Sequence, residues 1–497
     1  MNDYDAVVIG AGNGGLTSAL TLSQRGVKVL LLERHNVPGG CATSFIRGRF
    51  EFEVALHQLS GMGSEESPGP LRGQLEELGV LDKVEFVEED TIYRTVIPGQ
   101  VDVTLKADRA AIIELLKEKF PQENEAIERF FDHLYEFCSQ LLSGVWLKDP
   151  EISKEKYPLY FKYALKNYQE VLDEFFEDHL LKYVLSTYWG YIGLPPRSTA
   201  FIDLAIVLWA YIELKPVHIR GGSQALSNAL LDGFIGSGGT VRFNCGAKKI
   251  EVKNNKITGV ITENGERFST NYVISNASSL TTYLGLIDRE HVPEKQLKIL
   301  GASTIGPSAF SIYTGLDCEP EDLGIKASTS FIGTTSDMDR HHALWRTMEK
   351  PETVGFTCYD LADPDFSPPG ASQVVLVTLQ YAFPWLSVPP TQYTDTKYKY
   401  AEHMLAIAEQ VYPGFRDAIE EIEIASPLTH MRYLGHPGGA IYGFDQYAKD
   451  SNLFVSPRSS IDGLYFAGAW AGSGGFQPTL TSGGSAARAV LRSLETV

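Results

Sequence analysis

Residues 4–40 read YDAVVIGAGNGGLTSALTLSQRGVKVLLLERHNVPGG, and this stretch decides the fold of the chain. It opens with four apolar residues at positions 6–9, the pattern of a strand that is covered on both faces. Gly10, Gly12 and Gly15 follow in the G-x-G-x-x-G spacing, which allows a tight turn, a close approach to a pyrophosphate and close packing of a helix. The stretch therefore predicts the opening of a dinucleotide-binding unit.

The residues after the glycines complete a strand–helix–strand unit. Apolar residues between 16 and 22 give a helix one apolar face, and Gly26 ends it. A second apolar run at 29–32 predicts the next strand, and Glu33 stands after it, 18 residues beyond Gly15. A carboxylate at that place can accept both hydroxyls of an adenosine ribose, and the helix N-terminus favours a phosphate. The alternative is a glycine turn that binds no ligand.

The composition bounds the class of protein. A chain of 497 residues is long enough for two domains, and 43% hydrophobic residues suffice for their cores. The formal net charge of −19 argues against a general affinity for nucleic acid. Five cysteines without C-x-x-C pairs predict neither a disulfide framework nor a zinc site, so we expect no metal. No apolar run is long enough to span a bilayer, and we expect a cytoplasmic protein.

Beyond residue 100 the pattern alternates between helical and strand-like segments. Residues 108–142 carry an apolar stripe at helical spacing, interrupted by Pro121, and residues 160–188 and 201–212 are also predicted as helices. Further predictions are strands at 240–243, 256–262, 267–270, 309–314 and 374–381, and a helix at 395–411.

Several motifs resemble those of a known family. Residues 39–45 read GGCATSF, and residues 52–57 read FEVALH. Residues 426–430, 433–435 and 438–443 read SPLTH, YLG and GGAIYG. These segments are similar to those of the phytoene desaturase, carotenoid isomerase and retinol saturase family of FAD-dependent oxidoreductases, and most similar to its retinol saturase-like branch. The resemblance implies FAD as the cofactor and an apolar polyene or isoprenoid lipid as the substrate.

The resemblance also implies the architecture. We expect an α/β fold of the amine-oxidase (GR2) type, with a Rossmann-like FAD-binding domain and an inserted α+β substrate domain. The FAD-binding domain is assigned to residues 1–75, 215–285 and 425–497. The substrate domain is assigned to residues 76–214, expected to be largely helical, and 286–424, expected to form an antiparallel sheet flanked by helices. The residues expected to contact FAD are Gly10, Gly12, Asn13, Gly14, Gly15, Glu33, Arg34, Gly39, Gly40, Cys41, Ala42, Thr43, Gly221, Gly222, Ser223, Asn276, Ala277, Gly468, Ala469, Thr479 and Thr481.

Two side chains are candidates for catalysis beside the flavin. His57 is the first and Tyr442 the second, because either can donate or accept a proton. The alternative for both is ordinary core packing. Cys41 is interpreted as a small residue beside the pyrophosphate, and His430 as a residue that supports the fold.

Residues 154–168, called here the lysine–aromatic segment, combine four lysines with five aromatic residues. Such a combination can dock on a membrane surface, with rings at the level of the headgroups and lysines near phosphates. The alternative is a solvated helix whose aromatic residues pack inward.

The sequence thus predicts an FAD-dependent enzyme that saturates, desaturates or isomerises carbon–carbon double bonds of an apolar polyene. Two alternatives remain open: a flavin amine oxidase with the same fold, and an FAD-free prenyl-binding escort protein of the GDP dissociation inhibitor type. The sequence carries no second nucleotide motif, so it does not identify the electron donor or acceptor.

Overall fold

The computed structural model describes residues 2–447, 456–472 and 474–495. The segment assigned to residues 425–497 therefore includes positions that lie outside the described residues. In chain order, the strands are β1 Ala6–Ile9, β2 Val29–Leu32, β3 Ser44–Arg47, β4 Phe50–Glu53, β5 Phe86–Glu88, β6 Thr91–Ile97, β7 Val101–Lys106, β8 Val217–Ile219, β9 Thr240–Arg242, β10 Ala247–Lys253, β11 Lys256–Thr262, β12 Arg267–Ser269, β13 Tyr272–Ser275, β14 Ser308–Leu316, β15 Thr329–Gly333, β16 Thr353–Cys358, β17 Ser372–Gln380, β18 Ile419–Ala425 and β19 Leu464–Phe466. The helices are α1 Asn13–Ser23, α2 Pro70–Glu77, α3 Arg109–Lys119, α4 Asn124–Gln140, α5 Pro158–Tyr163, α6 Tyr168–Phe175, α7 His179–Ser186, α8 Trp189–Ile192, α9 Phe201–Glu213, α10 Ser223–Gly236, α11 Ser279–Thr281, α12 Glu294–Ala302, α13 Met338–Leu344, α14 Ala382–Leu386, α15 Tyr393–Val411, α16 Pro427–Leu434 and α17 Phe476–Leu494.

A parallel sheet of five strands, in the order β19-β13-β1-β2-β9, surrounds the strand that opens the chain. Ala6 pairs with Val29 on one side and with Tyr272 on the other. All four residues of β1 are buried, as expected for a strand with covered faces. The parallel sheet and the helix after β1 confirm the predicted Rossmann-like α/β fold.

Small residues let two helices pack closely beside this sheet. A Cβ at Gly15 would overlap the carbonyl oxygen of Gly10, so α1 packs tightly against the turn after β1. A Cβ at Gly483 would overlap the carbonyl oxygen of Gly14, and Ser18 Oγ donates to the Gly483 carbonyl at 2.9 Å. Helices α1 and α17 therefore lie in backbone contact.

A second sheet of seven strands runs in the order β18-β14-β17-β16-β15-β6-β7. Its neighbours are antiparallel except for β15 and β6. The hairpin of β6 and β7 lies within residues 76–214, the segment that was predicted as largely helical. Residues 101–106 alternate between buried and exposed positions, which is a strand pattern. The domain boundaries themselves stay a prediction.

Apart from the short strand β5, the regular structure in the rest of residues 76–214 is helical, and it encloses an aromatic core. The apolar stripe of α4 is buried as predicted, and a short 3-10 turn at Pro121–Glu123 separates α4 from α3. Helix α9 buries most of its apolar residues. Within the described ranges, none of the helices combines the length and the apolar character that a bilayer crossing requires.

Candidate functional site

A cavity of about 1230 Å³ lies along the carboxyl ends of the parallel strands. This is where open α/β sheets bind their ligands. The predicted FAD contacts that line it are Gly10, Gly12, Asn13, Gly14, Glu33, Arg34, Gly39, Gly40, Cys41, Ala42, Thr43, Asn276, Ala277, Gly468, Ala469 and Thr479. Residues from four separate parts of the chain are thus brought to one wall.

The N-terminus of α1 forms a bare backbone cradle in this wall. Gly12 is the N-cap, and no side chain caps the helix. A Cβ at Gly14 would lie 2.6 Å from the amide nitrogen of Gly468, and a Cβ at Gly12 would lie 2.9 Å from Asn276 Nδ2. The helix N-terminus therefore presents free N–H groups to the cavity, and side chains larger than glycine at positions 12 and 14 would narrow it. A bound pyrophosphate needs both the N–H groups and the space.

The Glu33 carboxylate lies at the end of β2 with both oxygens engaged by backbone. Oε2 accepts from the Ala11 amide at 2.6 Å, and Oε1 accepts from the His35 amide at 2.8 Å. A carboxylate oxygen accepts more than one hydrogen bond, so each retains capacity for a hydroxyl from the cavity. The position and the remaining acceptor capacity fit an adenosine ribose.

Arg34 connects the two sides of the cleft. Its Nη2 donates to the Arg432 carbonyl at 2.6 Å, near the C-terminus of α16. A Cβ at Gly435 would overlap the Arg34 guanidinium, and the rings of His35 and Tyr433 meet at 6.1 Å. Arg34 therefore lines the cavity and also joins the segment after β2 to the C-terminus of α16.

Helix α10 holds the segment 39–44 from behind. Ser227 Oγ donates to the Ala42 carbonyl at 2.7 Å, and Thr43 Oγ1 donates to Gln224 Oε1 at 2.6 Å. Gly221, Gly222 and Ser223 were predicted to contact FAD, but they lie outside the set of residues that line the cavity.

Ser223 bonds Glu53 instead of facing the cavity. Its amide donates to Glu53 Oε2 at 2.7 Å and its hydroxyl donates to Oε1 at 2.8 Å. Burial raises the pKa of Glu53, although these donors and the Leu56 amide act in the opposite direction. Ser223, which follows Gly221 and Gly222, thus anchors the Glu53 segment outside the cavity lining.

Two other predicted contacts also lie away from the cavity wall. Gly15 packs against the Gly10 carbonyl in the turn after β1 and does not line the cavity. Thr481 Oγ1 donates to Gln74 Oε1 at 3.4 Å, on an exposed part of α17. Thr479, one half-turn earlier, lines the cavity.

The structure separates the two catalytic candidates. Tyr442 lines the cavity together with Ala55, Tyr313 and Ile441, and burial raises its pKa well above the usual value. Its hydroxyl donates to the Gly190 carbonyl at 3.4 Å. His57 is half-buried and lies outside that lining set; its ring faces Tyr191 at 6.1 Å.

Both candidates are uncharged at neutral pH. Burial lowers the pKa of His57 to about 4, so its imidazole is neutral. The Tyr442 phenol keeps its proton because its pKa is raised. The two candidates therefore bring no charge, and the Tyr442 oxygen can still accept a hydrogen bond while its proton is donated to Gly190.

Sequence reasoning missed several residues of the cavity wall. Gly246, Ala247 and Glu263 extend the wall beyond Glu33; the first two follow β9 within a few residues, and Glu263 comes directly after β11. His430 and Trp470 line the cavity, and His430 Nε2 and Trp470 Nε1 are buried with no hydrogen-bond partner among the described residues. His430 was interpreted as a support of the fold; it also lines the cavity.

Comparison with known proteins agrees with these features. The model of the family described as flavin containing amine oxidoreductase matches residues 14–491. A prolycopene isomerase from an Oncidium hybrid cultivar is 25% identical over 94% of this chain and 80% of its own length. An all-trans-retinol 13,14-reductase from Danio rerio is 26% identical over 94% of this chain and 82% of its own length.

A solved structure shares the fold. An oxidoreductase from Methanosarcina mazei superposes with a TM-score of 0.66 over 98% of this chain and 99% of its own, at 18% identity.

Proposed function

The chain belongs to the flavin containing amine oxidoreductase family and is an FAD-dependent enzyme, and from that premise we propose that it acts on carbon–carbon double bonds of an apolar polyene or isoprenoid lipid. The named activities of its relatives, isomerisation of prolycopene and reduction of all-trans-retinol, support this substrate class. Saturation, desaturation and cis–trans isomerisation are the three reactions that the proposal covers.

The residues of the cavity wall fit FAD. The cradle at Gly12 and Gly14 would hold the pyrophosphate, and Glu33 would accept the ribose hydroxyls. Bound FAD supplies an acceptor or donor of hydride. The chain's own contribution is to bind and orient the lipid and to exclude water.

The observation that carries the substrate proposal is the uncharged wall at Tyr442. Ala55, Leu56, Tyr313 and Ile441 line the cavity together with Tyr442, and none of them is charged. A hydrocarbon gains roughly 25 cal/mol for each Å² removed from water against such a wall. A protonated amine would instead lose its hydration against these five residues, because the Glu423 carboxylate, which lines the same cavity and lies opposite Tyr313 in the sheet, is already paired with Arg47 at 2.7 Å. The wall therefore favours a polyene over an amine.

Mass analysis of lipid that copurifies with the yellow holoenzyme tests the substrate class. Incubation with all-trans-retinol and with prolycopene then distinguishes the reactions, because the product gains two hydrogens, loses two or keeps its mass. Hydrogen peroxide released from a primary or secondary amine, with no change in either lipid, would replace the proposal by an amine oxidase. A colourless protein that binds a prenylated partner would replace it by an escort protein.

The membrane contact predicted for the lysine–aromatic segment stays a prediction. Lys156 pairs with Asp149 at 2.7 Å, Lys162 pairs with Glu174 at 3.1 Å, and Lys166 also bonds Glu174. These pairs neutralise much of the positive charge that a docking surface would use.

A further inference from the structure

The segment of residues 441–445 carries Tyr442 into the cavity wall. Ile441 and Tyr442 line the cavity, whereas Asp445, at the other end of the segment, is only 7% exposed and lies outside the lining set. The Tyr442 hydroxyl donates to the Gly190 carbonyl at 3.4 Å, which is close to the outer limit of a hydrogen bond. A contact this long holds the ring weakly, so the backbone of the segment and the position of Gly190 decide where the hydroxyl lies.

Backbone contacts hold both ends of this segment. A Cβ at Gly474 would lie 2.6 Å from Tyr442 Cα, so Tyr442 is pressed against the residues that precede α17. At the other end, the Asp445 amide donates to the Thr304 carbonyl at 2.9 Å. The segment therefore cannot shift toward α17, and a movement away from α17 would have to break the contacts of Asp445.

The side chain of Asp445 belongs to a cluster, called here the Asp445 clamp, that consists of Asp445, Tyr381 and Arg346. The Tyr381 hydroxyl, just after β17, donates to the Asp445 carboxylate and lies 2.9 Å from Oδ1 and 3.0 Å from Oδ2. Arg346 Nη2 donates to the Tyr381 oxygen at 2.6 Å and lies 3.7 Å from Asp445 Oδ2. Burial raises the pKa of Asp445 to about 6, so it is a carboxylate at neutral pH, and Tyr447 also bonds it. These charge-assisted bonds tie the end of the segment to the seven-stranded sheet.

The same cluster reaches the residue that accepts the hydrogen bond of Tyr442. The Tyr381 amide donates to the Trp345 carbonyl at 2.9 Å, and the Trp345 ring stacks on Trp189 with centroids 4.6 Å apart and planes at 7°. Trp189 opens α8 and precedes Gly190, whose carbonyl accepts from Tyr442. The segment that carries Tyr442 and the carbonyl that accepts from it are therefore both tied to the end of β17.

We propose that the Asp445 clamp fixes the place of the Tyr442 hydroxyl in the cavity wall, with Tyr381 and Arg346 as positioning residues. The inference rests on the proposed function, because the place of this hydroxyl affects turnover only if Tyr442 acts on the bound lipid. A group that exchanges a proton with a substrate must lie within hydrogen-bond reach of it, and a misplacement of about 1 Å can cost on the order of 100-fold in rate. A tyrosine that is weakly held at its own hydroxyl depends on such support from outside the site.

A second arginine–tyrosine pair beside the same sheet offers the matched control. Tyr412 is buried, and its hydroxyl accepts from Arg94 Nη1 at 3.1 Å and lies 3.0 Å from Ser330 Oγ. Arg94 is also paired with a carboxylate, that of Asp102, at 2.7 Å. Neither Tyr412 nor Arg94 lines the cavity. The substitution Tyr412→Phe therefore removes the same kind of bond without touching the segment that carries Tyr442.

Two measurements on the FAD-loaded Tyr381→Phe variant test the proposal. Without substrate, hydrogen exchange of the amides in residues 441–445 should be at least about fivefold faster than in the wild type, because the carboxylate at the end of the segment loses a hydrogen bond. With all-trans-retinol or prolycopene, whichever is converted, kcat should fall at least about fivefold while KM changes less than about twofold. Tyr412→Phe should match the wild type in both measurements, and the flavin absorbance of each variant reports that the fold is retained.

A double variant separates positioning of Tyr442 from a general loss of stability. If Tyr381 acts through Tyr442, then Tyr442→Phe/Tyr381→Phe should have about the same kcat as Tyr442→Phe alone. Losses that multiply in the double variant would overturn the proposal. Unchanged exchange or unchanged kcat in Tyr381→Phe, or equal changes in Tyr412→Phe, would overturn it as well.

The outcomes for the proposed function and for the positioning role are distinct. Conversion of neither lipid would refute the proposed function, and the exchange measurement would still decide whether the Asp445 clamp holds the segment. Conversion at equal rates by the wild type and by Tyr381→Phe would refute the positioning role and leave the proposed function standing.

Discussion

The cradle at the start of α1 makes the substitution Gly14→Ala a sharp test of the nucleotide seat. A Cβ at Gly14 would lie 2.6 Å from the Gly468 amide nitrogen, 0.8 Å short of the 3.4 Å at which ordinary contact begins. It would also lie 2.7 Å from Asn276 Oδ1 and 3.0 Å from Gly468 Cα. Two of these three atoms are backbone, so the exit of β19 must move away from α1 and widen the cradle.

The magnitude follows from two opposed effects. Overpacking costs about 1–3 kcal/mol, whereas alanine gains about 1 kcal/mol over glycine in a helix. We expect the apoprotein to lose up to about 2 kcal/mol and the affinity for FAD to fall by at least about tenfold, because the displaced wall lines the cofactor cavity. The matched control is Gly73→Ala in α2, where the added Cβ has nothing within 4 Å.

Thermal unfolding of the apoproteins and titration with FAD, followed by flavin fluorescence, measure both effects. Gly73→Ala should stabilise the apoprotein slightly and leave FAD binding unchanged. If Gly14→Ala behaved like Gly73→Ala in both measurements, the close approach of α1 and the Gly468 segment would not be a feature of the molecule in solution.

Three further predictions concern single side chains. Tyr442→Phe should keep FAD bound and lower turnover at least about tenfold. His57→Ala should change turnover by less than about threefold, because His57 does not line the cavity. Steady-state assays in which His57→Ala lost more turnover than Tyr442→Phe would contradict these two predictions. Glu33→Gln should weaken FAD binding by about 10–100-fold in equilibrium titration, because a charged acceptor of the ribose becomes neutral, and an unchanged dissociation constant would remove Glu33 from the seat. Burial raises the pKa of Glu89 from the usual 4.5 to about 7, so between these pH values the folded state holds a proton that the unfolded state has lost, and the free energy of unfolding falls as the pH rises. The melting temperature of Glu89→Gln should therefore depend less on pH over this range than that of the wild type. Parallel plots of melting temperature against pH for the two proteins would refute this.

The local parts of the fold could be predicted from the sequence because their signals are local. The turn at Gly10, the strand at 6–9 and the stripe of α4 each depend on residues within a few positions of one another, and all were confirmed. The hairpin of β6 and β7 was missed although residues 101–106 alternate, because the flanking helical patterns dominated the interpretation. The hydrophobic pattern of a segment thus predicts its secondary structure only where the neighbouring segments do not show a different periodicity.

The site was less predictable because its contacts join distant residues. Ser223 bonds Glu53, which lies 170 positions away, and no pattern in either segment announces that pair. Arg34 meets Arg432 across 398 positions, and His430 reaches the wall through the placement of α16. Motifs identified the cradle, whereas the side chains that enclose it depend on packing.

The backbone contact between α1 and α17 has a consequence for biosynthesis. Gly483 emerges from the ribosome 469 residues after Gly14, and β19 is also made late. Until residue 275 has been made β1 lacks its neighbour β13, and until residue 483 has been made α1 lacks the helix that packs against it. Cofactor loading therefore follows translation of the whole intervening chain, and a chaperone that shields these early apolar segments would raise the yield of yellow protein.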